Sequence, residues 1–114
     1  MAKVEHFEIP ADDMARAKAF YGTIFGWSLT DWDADNTMID KPAAGGIGGD
    51  IHKRNVVPHP TVVITVDNIE ETLALVEANG GKRVGEIEAL TDTDRYTYFS
   101  DSEGNIVGLF DTTE

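Results

Sequence analysis

His6-Phe7-Glu8-Ile9-Pro10-Ala11-Asp12-Asp13-Met14 reads as a strand handing over to a helix. Phe7 and Ile9 recur at every second position, the period of a half-buried strand. Asp13 then stands where a carboxylate can accept a free backbone N–H and cap a helix. Further on, Thr61-Val62-Val63-Ile64-Thr65-Val66-Asp67-Asn68-Ile69 says the same thing again. Val62, Ile64 and Val66 share one strand face, and Asn68 takes the capping position. Two such openings in one short chain mark an internal repeat, carried by order and spacing more than by identity.

Working outward, the spacing predicts a helix over about 13–25, with Met14, Ala17, Phe20, Tyr21 and Ile24 on one stripe. A second helix is predicted over about 68–79, with Ile69, Leu73 and Val76, stopping at Asn79-Gly80-Gly81. After each helix the period falls from 3.6 to 2. Strands are predicted from Trp27 to Trp32, over about 36–40 and about 46–53, and then over 82–88, 96–100 and 105–111. Gly46-Ile47-Gly48-Gly49 is laid over Asn105-Ile106-Val107-Gly108 as the last strand of each copy. The fold class is therefore α+β, with two tandem β-α-β-β-β modules, about 1–55 and about 59–114, inside a single domain 1–114 joined by a polar, Pro-containing linker. One sheet face of each module is covered by its helix, and the other must meet something. Two such sheets side by side would make a half-open curved cup, helices outside, whose concave face suits a small ligand.

Composition narrows the function classes. The chain has 114 residues, 41% of them hydrophobic, enough for one domain's core. Acidic residues outnumber basic ones 21 to 9, a net charge of -12. Residues 1–57 hold 9 acids against 6 bases, and residues 58–114 hold 12 against 3. Nine scattered cations build no stripe for a phosphate backbone, so nucleic acid is not an expected partner. With no cysteine there are no disulfides, thiolate metal sites or Cys nucleophiles. The apolar runs are too short for a transmembrane helix, and the charged start Met1-Ala2-Lys3-Val4-Glu5-His6 does not read as a secretory signal. A cytoplasmic protein with no membrane partner is the expectation.

Several stretches together resemble the vicinal oxygen chelate superfamily of glyoxalase I, bleomycin-resistance proteins and extradiol dioxygenases. They are His6 through Asp13, Arg16-Ala17-Lys18-Ala19-Phe20-Tyr21, Phe25-Gly26-Trp27, Val66-Asp67-Asn68-Ile69, Gly80-Gly81 and Phe99-Ser100-Asp101-Ser102-Glu103-Gly104-Asn105. The resemblance implies paired modules, a homodimer, and a metal held by residues of the first and last strands of each module. Carried over position by position, only His6 matches as a metal ligand. Thr61 stands where many members have His, and Gly49 and Gly108 stand at the last-strand positions. One donor does not hold a divalent ion. No cofactor is therefore expected, with Zn, Ni, Mn or Fe as the alternative.

If His6 and Thr61 face the cup, period 2 sends Glu8, Val63 and Thr65 the same way, and with them Ile47, Gly49 and Ile51, then Ile106, Gly108 and Phe110. His6 and Glu8 are the candidate catalytic pair, side by side at i and i+2, suited to proton transfer. The ligand-binding candidates are Thr61, Val63, Gly49, Gly108, Tyr96, Tyr98, Phe110, Trp32 and Arg54. Tyr96 and Tyr98 would offer hydroxyls on an aromatic wall, Trp32 a lid, and Arg54 a rim contact. His52 and His59, near Arg54, read as rim or plain surface. For each of these residues ordinary packing is the plainer alternative.

Three functions follow. The first is a glyoxalase/bleomycin-resistance-like protein binding a small organic molecule, with little or no metal-dependent catalysis. The second is a glyoxalase-like lyase or isomerase acting next to a carbonyl, through His6 and Glu8 or an atypical metal site. The third is an accessory or interaction module.

Overall fold

Strand β1 (Lys3–Ala11) runs into helix α1 (Met14–Phe25), followed by β2 (Leu29–Asp33), β3 (Asn36–Ile39) and β4 (Gly48–Lys53). The order is then repeated as β5 (Thr61–Thr65), α2 (Ile69–Ala78), β6 (Lys82–Ala89), β7 (Asp94–Ser100) and β8 (Ile106–Thr112). This computed structural model describes residues 2–113, so the outermost residues of the two expected modules, 1 and 114, lie outside the described residues. The class is mixed α+β, with both modules in β-α-β-β-β order. One compact unit comprises His6–Thr61, and the other takes in Val62 onward together with the residues up to Glu5.

In the first unit the strand order is β2-β3-β4-β1. β1 pairs with β4 in parallel, and β3 pairs antiparallel with both β2 and β4. A parallel pair cannot be closed by a tight hairpin, which is why α1 and two further strands lie between β1 and β4 in sequence. In the second unit the order is β5-β8-β7-β6, with β5 parallel to β8 and the other neighbours antiparallel.

The helix ends are built as their sequences suggest. The Asp13 carboxylate accepts from the Arg16 N–H at 2.9 Å, and the Asn68 side chain accepts from the Glu71 N–H at 2.8 Å. Gly26 closes α1 with φ 65°, and Gly80 follows α2 with φ 94°, left-handed conformations that cost glycine little.

Phe7, Ile9 and Ala11 of β1 join Ile39 and Ile51 on one face, where Met14, Ala17 and Tyr21 of α1 pack with Trp27 and Leu29. Val66, Ile69, Leu73 and Leu109 form the second module's core, with Ile64, Ile87 and Phe99 against it. The α1 stripe is narrower than its period indicated. Phe20 and Ile24 are more than half exposed, and α1 has no fully buried residue. In the second module a buried carboxylate ties helix to sheet. Asp111 accepts from the Ile69 N–H at 2.9 Å and from Arg95 Nη2 at 2.6 Å, while Arg95 also bonds to Glu70.

Candidate functional site

The parallel β1–β4 ladder decides which side chains meet. Its register sets His6 beside Gly48, Glu8 beside Asp50, and Pro10 beside His52. Alternation then puts His6, Glu8, Asp50 and His52 on one face of this sheet, and Phe7, Ile9, Gly49 and Ile51 on the face that α1 covers. The expected inward set Ile47, Gly49 and Ile51 is thus one residue out of phase. Ile51 is fully buried in the core beneath α1. A Cβ on Gly49 would lie 2.5 Å from the Phe7 carbonyl oxygen and 2.9 Å from its ring. Gly49 is bare because β1 lies against it, on the side away from His6.

Asp50 is the hub of the polar face. Its Oδ2 lies 2.7 Å from His6 Nε2, and its Oδ1 lies 3.0 Å from His52 Nδ1. Glu8 Oε2 is 3.9 Å from the same His52 nitrogen. Burial works to raise the Asp50 pKa, but hydrogen bonds from His52 and His6 outweigh it, with the contact to Glu8 acting the same way, and hold the group at about 2. An ionised carboxylate can only accept, so the nitrogens of His6 and His52 that face it carry protons. His6 Nδ1 is left as the ring nitrogen that Asp50 does not use. Burial pushes the His52 pKa down, yet its bond to Asp50 and the charges of Glu8 and Asp50 carry it above the usual histidine value.

Two sequence expectations change here. His52 is not a surface residue beside Arg54 and His59: it is 4% exposed and bonded to Asp50. His6 is not an isolated donor either. His6, Glu8 and Asp50 each offer a ligand atom, and these atoms lie within 4.8 Å of one another. Such a nitrogen-and-carboxylate set suits a divalent ion of the zinc, manganese or iron kind, whose ligands must crowd one point. By donor chemistry and spacing, these residues fit the metal the resemblance implies.

The remaining candidates fall in other places. Val63 pairs with Gly108, which pairs with Tyr98, and Thr65 pairs with Phe110, which pairs with Tyr96. Val63, Gly108, Tyr98, Phe110 and Tyr96 therefore share one face of the second module's sheet, and alternation along β5 gives Thr61 that face too. The two tyrosine rings meet edge to face at 6.3 Å. A Cβ on Gly108 would sit 3.0 Å from Val63 Cγ2 and 3.5 Å from Tyr98. Trp32 is 56% exposed. Arg54 is held by Asp12 at 2.7 Å and by the Pro58 carbonyl at 2.6 Å. The two ladders also realign the repeat: Glu8 beside Asp50 in module one corresponds to Val63 beside Gly108 in module two. The residue matching Gly108 is Asp50, one place beyond Gly49.

Residues 3–109 match the family model of the Glyoxalase/Bleomycin resistance protein/Dioxygenase superfamily. The chain belongs to that superfamily. A glyoxylase-like domain-containing protein of Didymella fabae is 32% identical over 114 residues, covering 90% of this chain and 88% of its own. Among solved structures, a hypothetical protein from Bacillus halodurans superposes with TM-score 0.71 at 14% identity, over 99% of this chain and 96% of that one. Methylmalonyl-CoA epimerase from Mycobacterium tuberculosis does so with TM-score 0.68 at 16% identity, over 97% and 88%. At these identities the superpositions show the glyoxalase superfamily fold and nothing finer.

Proposed function

We propose that the chain binds a small organic molecule carrying a carbonyl group on the polar face of module one, and that this face moves a proton at the carbon next to that carbonyl. The observation that supports the reading is Asp50 bonded to His6 Nε2 at 2.7 Å. A buried carboxylate on one imidazole nitrogen fixes the tautomer and steadies the cation that forms when the other nitrogen takes a proton. In this scheme His6 Nδ1 accepts the proton from carbon, leaving an enolate and an imidazolium, and the same nitrogen returns it. Glu8 is the second carboxylate within reach on this face and can hold the proton in turn. The superposed methylmalonyl-CoA epimerase makes a thioester with an acidic C–H a sensible first probe.

The test is deuterium uptake at the α-carbon of methylmalonyl-CoA and of a dicarbonyl–thiol hemithioacetal, followed by proton NMR. Uptake that falls at least tenfold in His6→Ala supports the scheme. Saturable binding of a probe without uptake would reduce the protein to a sequestering module, the function first expected from the sequence. Neither binding nor uptake would leave the accessory role.

A second reading rests on the three clustered donors. His6, Glu8 and Asp50 would hold a divalent ion, which would supply Lewis acidity toward a carbonyl oxygen. The two readings differ at His6, which moves a proton in the first and holds a metal in the second. A homodimer and a cytoplasmic setting complete the proposal. No helix among the described residues is long and apolar enough to cross a membrane. Sedimentation at micromolar concentration gives the oligomeric state.

A further inference from the structure

We infer that His52 is a positioning residue, which through Asp50 fixes the orientation and tautomer of the His6 ring. The inference deepens the proton-transfer reading and rests on it. His52 lies two positions from Asp50 on β4, on the same face, and is 4% exposed. Its Nδ1 meets Asp50 Oδ1 at 3.0 Å, while its buried Nε2 meets no partner in good hydrogen-bond geometry and the Asn55 side chain adds only a weaker polar contact to the ring. A buried imidazole that leaves one nitrogen unmatched gives up part of its bonding capacity. What the ring gains in return is the bond to Asp50.

The geometry explains why Asp50 needs it. A carboxylate with one partner can swing about its Cβ–Cγ bond and present either oxygen. With Oδ1 held by His52 and Oδ2 by His6, at 3.0 and 2.7 Å, both its plane and its choice of oxygen are set. His6 is then presented with one fixed acceptor at Nε2, and its Nδ1 stays bare. Glu8, 3.9 Å from His52 Nδ1, is the competing acceptor for that proton. If His52 is removed, Oδ1 loses this bond, and the carboxylate is free to turn and offer His6 either oxygen. No ring carbon or nitrogen of His52 has to touch substrate for this.

The experiment uses the whole chain labelled with 15N-histidine and reads the ring nitrogens without substrate. In the unmutated protein His52 Nδ1 should carry a proton, and His6 should show the Nε2–H form. His52→Leu should turn the His6 signals into a two-tautomer average, and His52→Asn, which keeps an N–H near the Nδ1 position, should restore them. Deuterium uptake should fall about tenfold in His52→Leu and return to within threefold in His52→Asn, with probe affinity little changed. A bare His52 Nδ1 in the unmutated protein overturns the inference, and this measurement stands even if neither variant folds. A folded His52→Leu with an unchanged His6 spectrum also overturns it. Failure of the proton-transfer reading looks different: no uptake in any variant, with the His6 tautomer still dependent on His52.

Discussion

Replacing Gly49 with alanine tests the face assignment on which the site depends. The added Cβ would lie 2.5 Å from the Phe7 carbonyl oxygen and 2.9 Å from two Phe7 ring atoms. The carbonyl belongs to the backbone of the residue paired with Gly49, so relief requires β1 and β4 to move apart. Overpacking of this kind costs about 1–3 kcal/mol, and the stiffer unfolded chain offsets about 0.4–1 kcal/mol of that. Because the obstacle is backbone, the upper end of the range applies, and the net destabilisation should be about 2 kcal/mol, or roughly 8 °C in Tm for a domain of this length. Gly108→Ala is the matched control. Its Cβ would meet Val63 Cγ2 at 3.0 Å and nothing else closer than 3.5 Å, and a methyl group can yield. That variant should stay within about 1 kcal/mol of the parent, since the two effects nearly cancel. Urea unfolding followed by tryptophan fluorescence reads both, because Trp27 packs at 5.7 Å from the Phe7 ring. A Gly49→Ala midpoint equal to that of the parent, or above that of Gly108→Ala, would falsify the placement of Gly49 beneath α1.

Further outcomes follow from the polar face and from the second module. Asp50→Asn removes the charged acceptor shared by two histidines and turns an amide N–H toward one of them. The protein should lose about 2–3 kcal/mol in urea titrations and at least tenfold in deuterium uptake; an unaltered midpoint contradicts the hub role of Asp50. The Asp50 pKa of about 2, against an ordinary 3.8, gives about 2 kcal/mol of stability that is present above pH 4 and lost between pH 4 and 2. The raised His52 pKa acts the other way, so its contribution is full below about pH 6.5 and declines as pH rises through its folded value. Melting temperatures across pH should fall off on both sides, with a smaller acid step in Asp50→Asn, the remainder coming from Glu70 and the other carboxylates held below their usual range; a curve that keeps rising above pH 8 contradicts the His52 assignment. Arg95→Ala removes both guanidinium bonds from the buried Asp111 carboxylate, which keeps its bond from the Ile69 N–H. Because Arg95 is itself a quarter exposed, the expected loss is about 2 kcal/mol, short of the 3–5 of a fully buried pair. Cooperative unfolding by circular dichroism checks it.

The architecture was legible because its signals are local. Alternation at Phe7 and Ile9, a capping Asp13, an Asn-Gly-Gly stop and the change of period each act over a few residues. The repetition of that order also exposed the two modules. The site was legible only in part, because it depends on the phase of β4 against β1. The glycine run at Gly45-Gly46-Ile47-Gly48-Gly49 carries almost no side-chain pattern, so aligning it by glycine identity placed Gly49 where Asp50 belongs. A slip of one residue turns a strand's faces over. A signal was available: Asp50-Ile51-His52 alternates polar, apolar, polar, in step with His6-Phe7-Glu8, and the isoleucine had to be the buried partner. Exposure on α1 was missed for a different reason, since the stripe's period says which residues share a face and not how much of that face is covered.

The unequal furnishing of two equivalent ladders has a practical consequence. Where module one sets Glu8 beside Asp50, module two sets Val63 beside Gly108 on the same parallel framework. The protein therefore carries an internal blank, a copy of the scaffold without the ionisable groups, at the same concentration and in the same tube. Amide shifts of Val63 and Gly108, away from the Asp111 ion pair further along β8, register what an added compound does to such a framework in general. The difference between these shifts and those along β1 and β4 isolates what the four polar side chains do.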